Sequence, residues 1–333
     1  MKFSNKNIVL ALGIIVVVLI TGVLMVSRPG EEKVNLTDKK KEMDIMVTED
    51  GTKYLIHPDK LKKGIPTLNP KDAIPSIDDP TFESVESADP LIEDNELVLG
   101  LVYKGEERAY PLQILVWHEI VNDFLAEYPV LITYCPLCGS GIAFNRTIDG
   151  EVVEFGVSGQ LYNSNLVMYD RKTQSYWTQI GGRAVVGKLT GKELERIPIS
   201  TVTWEKWKKE HPNSKVLSRP AGFNKPYGDD PYGNYYNDSF LFFPVGNRND
   251  TIHPKTRIIG VEINNTFKAY KESDVKENKT VEDTVNGVRI KMTKNQDGSV
   301  SVIRKDNDKE IVHDETFWFA WYAFHPKTKL YEA

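Results

Sequence analysis

The hydrophobic positions divide the chain into one uninterrupted apolar stretch near its start and a long region of short alternating runs. Residues 8–26 read IVLALGIIVVVLITGVLMV and contain no charge. A helix of this length spans about 28 Å, close to the hydrocarbon thickness of a bilayer. A cleaved signal peptide has a shorter apolar core followed by a small-residue cleavage site. The pattern therefore predicts one transmembrane helix (Ile8–Val26) within a membrane anchor over residues 1–30.

The basic residues beside this stretch do not decide its orientation. Lys2 and Lys6 precede it, whereas Arg28, Lys33 and residues 39–41 follow it, and by the positive-inside rule this would keep the large domain in the cytoplasm. Asn-x-Ser/Thr sequons instead favour an exported surface. They begin at Asn35, Asn145, Asn237, Asn249, Asn264 and Asn278. We expect a single-pass protein of the cell membrane with its soluble domain outside the cytoplasm.

Beyond the anchor the alternation predicts mostly strands. Hairpins are expected over residues 98–110, 257–270 and 288–305, and a β-meander follows residue 150. Apolar residues at helical spacing predict an amphipathic helix over residues 112–125, with Glu119 and Asp123 on its polar side. Short helices are expected at 204–211 and near 315–326. The fold class is therefore α+β, a β-rich mixed domain with a few short helices, preceded by one transmembrane helix.

Charge and cysteine content restrict the function. Removing Lys2, Lys6 and Arg28 from the 42 basic residues leaves 39, against 47 acidic residues. A net negative surface without a basic stripe argues against nucleic acid as a partner. The charged segment 31–62 is predicted to be a solvated linker. The chain's two cysteines can form one local bond or half of a metal site, but not a disulfide framework.

The two cysteines stand in the run Cys135-Pro-Leu-Cys138-Gly139, which is the main candidate for chemistry. No long helix follows them, so the sequence indicates a turn between strands, as in rubredoxins and zinc ribbons, rather than a thioredoxin-like site. Two thiolates suit a soft metal, zinc or copper, which would need further ligands; His118 and His325 are the best candidates. The alternatives are a thiol–disulfide oxidoreductase and a structural or partner-binding domain with a static disulfide. The residues do not decide whether the protein is an enzyme.

Four longer runs carry a resemblance to a known family. They are AYPLQILVWHEIVND (109–123), TYCPLCGSGIAF (133–144), GVSGQLYNSNLVMYDRKTQSYWTQ (156–179) and FWFAWYAFHP (317–326). The chain resembles the domain of unknown function 3179 family, whose members are often secreted or membrane-anchored bacterial and archaeal proteins. The resemblance implies that residues 117–119, Cys135, Cys138, residues 156–163, 170–171 and His325 belong to the family signature. It also implies that residues 63–333 form a single globular domain of two β-rich lobes, and it supplies no reaction.

Overall fold

The computed structural model describes residues 44–276 and 279–332. The predicted anchor over residues 1–30, with its apolar stretch Ile8–Val26, lies outside these residues, as does the first part of the predicted linker. Among the helices of the described region, none combines the length and the apolar character needed to cross a bilayer.

Strands dominate the described region. In chain order they are β1 (Met46–Val47), β2 (Lys53–Tyr54), β3 (Lys62–Lys63), β4 (Phe82–Ser84), β5 (Leu97–Tyr103), β6 (Glu106–Pro111), β7 (Ile120–Leu125), β8 (Tyr128–Cys135), β9 (Ser140–Asn145), β10 (Thr147–Ile148), β11 (Glu151–Val152), β12 (Phe155–Tyr162), β13 (Asn165–Asp170), β14 (Tyr176–Thr178), β15 (Arg183–Val186), β16 (Glu195–Ile197), β17 (Ser200–Thr203), β18 (Lys215–Leu217), β19 (Arg257–Ile263), β20 (Thr266–Lys271), β21 (Thr280–Val285), β22 (Val288–Lys294), β23 (Val300–Arg304), β24 (Asp314–Phe317) and β25 (Lys329–Leu330).

The helices are short. The α-helices are α1 (Val85–Ala88), α2 (Leu112–His118), α3 (Trp204–Glu210) and α4 (Trp318–Phe324). Single 3₁₀ turns occur at Pro58–Lys60, Asp89–Leu91, Pro136–Cys138, Gly233–Asn237 and Glu272–Asp274. Many strands and few short helices confirm the predicted β-rich α+β class for the part of the chain that the structure describes.

The strands form several small sheets. Their orders are β1-β2-β15-β14-β13-β12-β3, β16-β9-β8-β7, β17-β5-β6-β18-β4, β24-β19-β20-β25, β21-β22-β23 and β10-β11. Neighbouring strands are antiparallel except for the pairs β6–β18 and β20–β25. The first sheet begins before residue 63, because β1 pairs with β2, β2 pairs with β15 and β3 pairs with β12. The predicted hairpins at 98–110, 257–270 and 288–305 and the predicted meander are confirmed.

The largest hydrophobic cluster lies between the sheet that contains β8 and β9 and the sheet that contains β12 to β15. Leu131 and Phe144 enter it from the first sheet, and Met168 and Trp177 from the second. Both cysteines belong to the same cluster. The turn between β8 and β9 is thus part of the core rather than a surface loop.

Two helix predictions are wrong in their extent. The predicted helix over 112–125 ends at His118, where Glu119 takes a left-handed conformation with φ +58°, and residues 120–125 form β7. β7 pairs along its whole length with β8, and Asn122 N donates to the Ile77 carbonyl at 2.8 Å. Near the C-terminus, residues 314–317 form a strand and only Trp318–Phe324 are helical. Strand pairing outweighs the local helical pattern in both places: β7 pairs with the adjacent β8 and with the distant Ile77, and β24 pairs with the distant β19.

Candidate functional site

The two cysteines lie on a tight turn between two strands, as the sequence predicts. Cys135 is the last residue of β8, Pro136–Cys138 form one 3₁₀ turn, and Gly139 takes a left-handed conformation with φ +57°. The turn closes where Cys135 pairs with Ser140 of β9. Glycine adopts this φ without the Cβ strain that other residues incur, so the Gly after the second cysteine allows the reversal.

Distant side chains hold this turn by its carbonyl oxygens. Three side chains donate hydrogen bonds to three successive backbone carbonyls. The Tyr235 hydroxyl donates to the Leu137 carbonyl at 3.0 Å, and the Thr316 hydroxyl donates to the Cys138 carbonyl at 3.0 Å. The Arg257 guanidinium donates to the Gly139 carbonyl at 3.4 Å. Buried carbonyls are costly when unpaired, so these bonds stabilise the turn. They also fix the positions from which the two sulfur atoms project.

Both sulfur atoms are enclosed. Cys135 is 2% exposed and Cys138 is fully buried, and the two are not joined by a disulfide. The carbonyl oxygen of Ser164 lies 3.8 Å from the Cys135 sulfur and 3.4 Å from the Cys138 sulfur, within reach of either thiol as a donor. The Asn165 amide donates to the Cys138 sulfur at 3.5 Å. The sulfurs therefore have hydrogen-bond partners although they lie in an apolar cluster.

A buried amide pair fixes the orientation of Asn165. Its amide group donates to Gln179 Oε1 at 2.7 Å, and its carbonyl oxygen accepts from the Ile180 backbone at 3.0 Å. Gln179 in turn donates to the Thr133 hydroxyl at 3.1 Å and to the Ser140 carbonyl at 2.9 Å. With every polar atom of the pair engaged, the N–H group of Asn165 stays directed at the sulfurs.

The two thiols differ in acidity. Burial acts to raise the pKa of Cys135, but hydrogen bonds from the Cys138 thiol and from the backbone N–H groups of Leu166 and Cys138 outweigh it, and the pKa is lowered. Burial raises the pKa of Cys138 well above its ordinary value, and its role as donor to Cys135 raises it further. Cys135 is therefore the more acidic of the two thiols, and a thiolate is the nucleophilic form of a cysteine.

A carboxyl group beside the pair has no signal in the sequence. Glu119, expected on the polar side of a helix, is only 8% exposed and takes the left-handed conformation that ends α2. Burial, followed by the charge of Cys135, raises the pKa of its carboxyl well above the ordinary value. Asp123, assigned to the same side, is also buried and pairs with Arg108 at 2.5 Å. No local signal distinguishes these acids from solvated ones, since their burial follows from β7 joining a sheet.

The two histidines predicted as metal ligands lie in other surroundings. Both ring nitrogens of His118 have partners, the Pro75 carbonyl at 2.8 Å and the Tyr227 hydroxyl at 2.7 Å. His325 packs against Phe267 and Trp321, with ring centroids 4.1 and 4.2 Å away, and burial lowers its pKa to about 3.

The structure therefore brings together Cys135 and Cys138 but adds neither His118 nor His325 to them. Within residues 44–276 and 279–332, no group of three or more His, Cys, Asp and Glu side chains is arranged to hold a metal ion. A closed tetrahedral site for zinc needs four ligands, and the turn supplies two. Zinc or copper binding by these four residues stays a prediction.

A tyrosine-rich segment, residues 221–245, covers the cysteine turn. Tyr235 belongs to the cluster that holds the cysteines, and Tyr232 and Tyr236 pack against that cluster. Lys255 fastens the segment, because its ammonium donates to the carbonyls of Tyr235, Asp238 and Phe240. The segment thus contributes to the burial of the two sulfurs.

Comparisons with known proteins identify a family and no closer relative. The family model described as protein of unknown function (DUF3179) matches residues 71–328, more than half of the chain. No curated protein and no solved structure matches the chain. The match covers the cysteine turn, Glu119, both histidines and the tyrosine-rich segment.

Proposed function

The chain belongs to the family described as protein of unknown function (DUF3179), and we propose that it is a membrane-anchored, extracytoplasmic domain that exchanges disulfides through Cys135 and Cys138. The observation that carries the proposal is the unequal pair: two adjacent cysteines without a disulfide, with the Ser164 carbonyl and the Asn165 amide at their sulfurs, where hydrogen bonds lower the pKa of Cys135 and burial raises that of Cys138. Thiol–disulfide exchange requires a thiolate nucleophile or leaving group beside a second thiol. A static disulfide requires neither a stabilised thiolate nor a neighbouring free thiol.

Stabilisation of the Cys135 thiolate favours the direction of exchange in which the cysteine pair oxidises the thiols of a substrate. In the oxidised pair, a substrate thiolate attacks the Cys135 sulfur, the bond between the two cysteines breaks, and Cys138 leaves and takes up a proton. A second substrate thiolate then attacks the substrate sulfur of this mixed disulfide and releases Cys135 as a thiolate. The substrate loses two electrons and the pair gains two. Hydrogen bonds that stabilise the reduced form make the disulfide more oxidising.

Membrane attachment through Ile8–Val26 and a location outside the cytoplasm agree with this chemistry. Disulfides form and persist in extracytoplasmic compartments, whereas cytosolic thiols are kept reduced. The location has its own test: a reporter fused after residue 333 and active only outside the cytoplasm supports it. Activity of a cytoplasm-only reporter at the same position contradicts it.

The test of the proposed exchange is a redox titration of the full chain in detergent, purified without chelators. In glutathione buffers we expect the two thiols to disappear together as the buffer becomes more oxidising, with a midpoint above about −230 mV. Cys138→Ser should leave Cys135 reactive towards iodoacetamide at neutral pH. Cys135→Ser should leave Cys138 much less reactive, because burial raises the pKa of the Cys138 thiol.

Elemental analysis of the same preparation separates this proposal from the metal alternative. About one equivalent of zinc or copper that is lost on Cys135→Ser would replace disulfide exchange with a metal site. A pair that stays oxidised in strongly reducing buffer would instead identify a static disulfide. Equal reactivity of the two single-cysteine variants would contradict the unequal acidity on which the proposal rests.

A further inference from the structure

Both sulfur atoms are enclosed, although the proposed exchange needs access to one of them. Cys135 is 2% exposed and Cys138 is fully buried. A substrate thiolate has to contact the sulfur that it attacks. The structure therefore shows the closed state of the site, and part of the molecule has to move before Cys135 reacts with a partner.

Residues 232–245 of the tyrosine-rich segment connect the two turns that surround the sulfurs. The Tyr235 hydroxyl donates to the Leu137 carbonyl of the cysteine turn at 3.0 Å. The Ser164 hydroxyl, in the turn between β12 and β13, donates to the Phe243 carbonyl at 2.7 Å. The backbone carbonyl of the same serine lies at both sulfurs. The segment is thus attached on two sides of the sulfur site.

A buried lysine is the third attachment. Lys255 is 5% exposed, and its ammonium donates to three carbonyls of the segment, those of Tyr235, Asp238 and Phe240. The backbone of Lys255 is fixed elsewhere, because the carbonyls of its two neighbours in the chain accept hydrogen bonds from the backbone of α4. One side chain therefore joins residues 235–240 to the rest of the domain.

Residues 232–245 lack the backbone pairing that holds most of the domain together. None of them belongs to a strand, and their regular structure is the single 3₁₀ turn Gly233–Asn237. Tyr235 packs into the core, but Phe240 is 64% exposed and Phe242 is 49% exposed. A cavity of about 470 Å³ also remains where Tyr236 approaches the cysteine turn. A segment with few buried contacts and no strand pairing opens at a lower free energy than the core.

We propose that residues 232–245 form a lid that regulates access to the cysteine pair. The closed lid encloses both sulfurs, and the open lid admits a substrate thiol to Cys135. The lid opens when its bonds to Leu137, Ser164 and Lys255 break, while the hydroxyl of Thr316 still holds the cysteine turn by the Cys138 carbonyl. Its purpose rests on the exchange reaction proposed above, whereas its motion can be measured without any exchange.

Alkylation of the full chain carrying Cys138→Ser, in detergent, tests the lid. Iodoacetamide reacts with Cys135 only while the sulfur is accessible, so the rate reports how often the site is open. The rate is measured in increasing urea below the unfolding transition, and its slope is compared with that of global unfolding followed by tryptophan fluorescence. Lid opening exposes little surface, so the alkylation slope should be much the shallower of the two. Equal slopes would mean that the sulfur is reached only by unfolding and would overturn the lid.

Variants of the three attachments, made in the same single-thiol background, locate the motion. Ser164→Ala and Tyr235→Phe each remove one neutral hydrogen bond and should speed alkylation about two- to tenfold. Lys255→Met keeps a side chain of similar length but removes the charged donor to three lid carbonyls. It should speed alkylation at least about tenfold, because a hydrogen bond from a charged group is stronger than a neutral one.

Thr190→Val is the matched control. The Thr190 hydroxyl is also buried and donates to a backbone carbonyl, that of Gly187 at 2.7 Å, but it lies outside the lid, so alkylation should be unchanged. An equal increase in all four variants would indicate general destabilisation, and no increase in the attachment variants would mean that these bonds do not control access; both results contradict the lid. If Lys255→Met does not fold, the two hydroxyl variants carry the test.

The lid and the exchange reaction fail separately. The Cys138→Ser chain cannot form a disulfide within itself, so the alkylation rates do not depend on whether the natural pair exchanges disulfides. A static disulfide in the wild type, together with faster alkylation of the attachment variants, would refute the exchange reaction and leave the lid. A reversible redox titration of the wild type, together with equal urea slopes, would leave the exchange reaction and refute the lid.

Discussion

Replacing Gly139 by alanine should destabilise the protein through two separable effects. Gly139 has φ +57°, where a residue with a Cβ costs about 1–2 kcal/mol. The added Cβ would also lie 2.7 Å from Cζ of the Phe317 ring. Phe317 is itself buried and packed, so the ring cannot swing into solvent, and such overpacking costs about 1–3 kcal/mol. After subtracting the lower chain entropy of alanine in the unfolded state, we expect a loss of about 2–4 kcal/mol.

Gly233 provides the matched control. Its φ is +51°, close to that of Gly139, but nothing lies within 4 Å of the Cβ that an alanine would add. Gly233→Ala should therefore show the backbone cost alone, about 1 kcal/mol. Urea unfolding of both variants, followed by tryptophan fluorescence, gives the two free energies. If Gly139→Ala loses no more than Gly233→Ala, then Phe317 does not restrict the turn and the packing argument is refuted.

Two further predictions concern ionisation. Asn165→Ala removes an N–H group that stabilises the Cys135 thiolate, so the pKa of Cys135 should rise and the pH midpoint of its alkylation by iodoacetamide should move upward; an unchanged midpoint would contradict the role of Asn165. His325 is neutral in the folded protein because burial lowers its pKa to about 3, whereas the unfolded chain takes up the proton below about pH 6.5. The free energy of unfolding should therefore fall as the pH drops from about 6.5 towards 3, and His325→Phe should make this fall smaller. Parallel pH curves for the wild type and the variant would show that His325 does not titrate in this way.

The parts of the fold that could be predicted from the sequence are those decided by neighbours in the chain. The hairpin β5–β6 follows from alternating residues around Lys104 and Gly105, which both take positive φ in the structure. Such a turn matches the twist of its two strands, so local sequence is sufficient. The predicted helix over 112–125 is confirmed up to His118, and its second half is wrong for the opposite reason. Val121 fits a helix and a strand equally well, and its pairing in β7 depends on segments that sequence spacing does not reveal.

The same division applies to the candidate site. The turn with Cys135 and Cys138 is local and was predicted, including the glycine that ends it. Burial and the hydrogen bond between the two cysteines affect the acidity of the thiols first, but the other hydrogen-bonding groups come from residues 164–166, and Gln179 orients Asn165; all of these lie far away in the sequence. Asn165 and Gln179 lie inside a run of residues typical of the family. Nothing in the local sequence predicts that these two side chains lie near the sulfurs. The spacing of the two cysteines identifies the pair of thiols. It does not identify the residues that give the two thiols different pKa values.

The arrangement around the turn has a consequence for how the protein matures. Cys135 and Cys138 are close from the moment they are synthesised, but Asn165, Tyr235 and Thr316 reach them only when strands far along the chain have docked. Until then both thiols have the acidity of an unfolded chain. With only two cysteines in the sequence, no incorrect intramolecular disulfide can form in this interval. For the exchange reaction proposed above, full reactivity would therefore appear late in folding, and a partly folded chain would carry an ordinary dithiol.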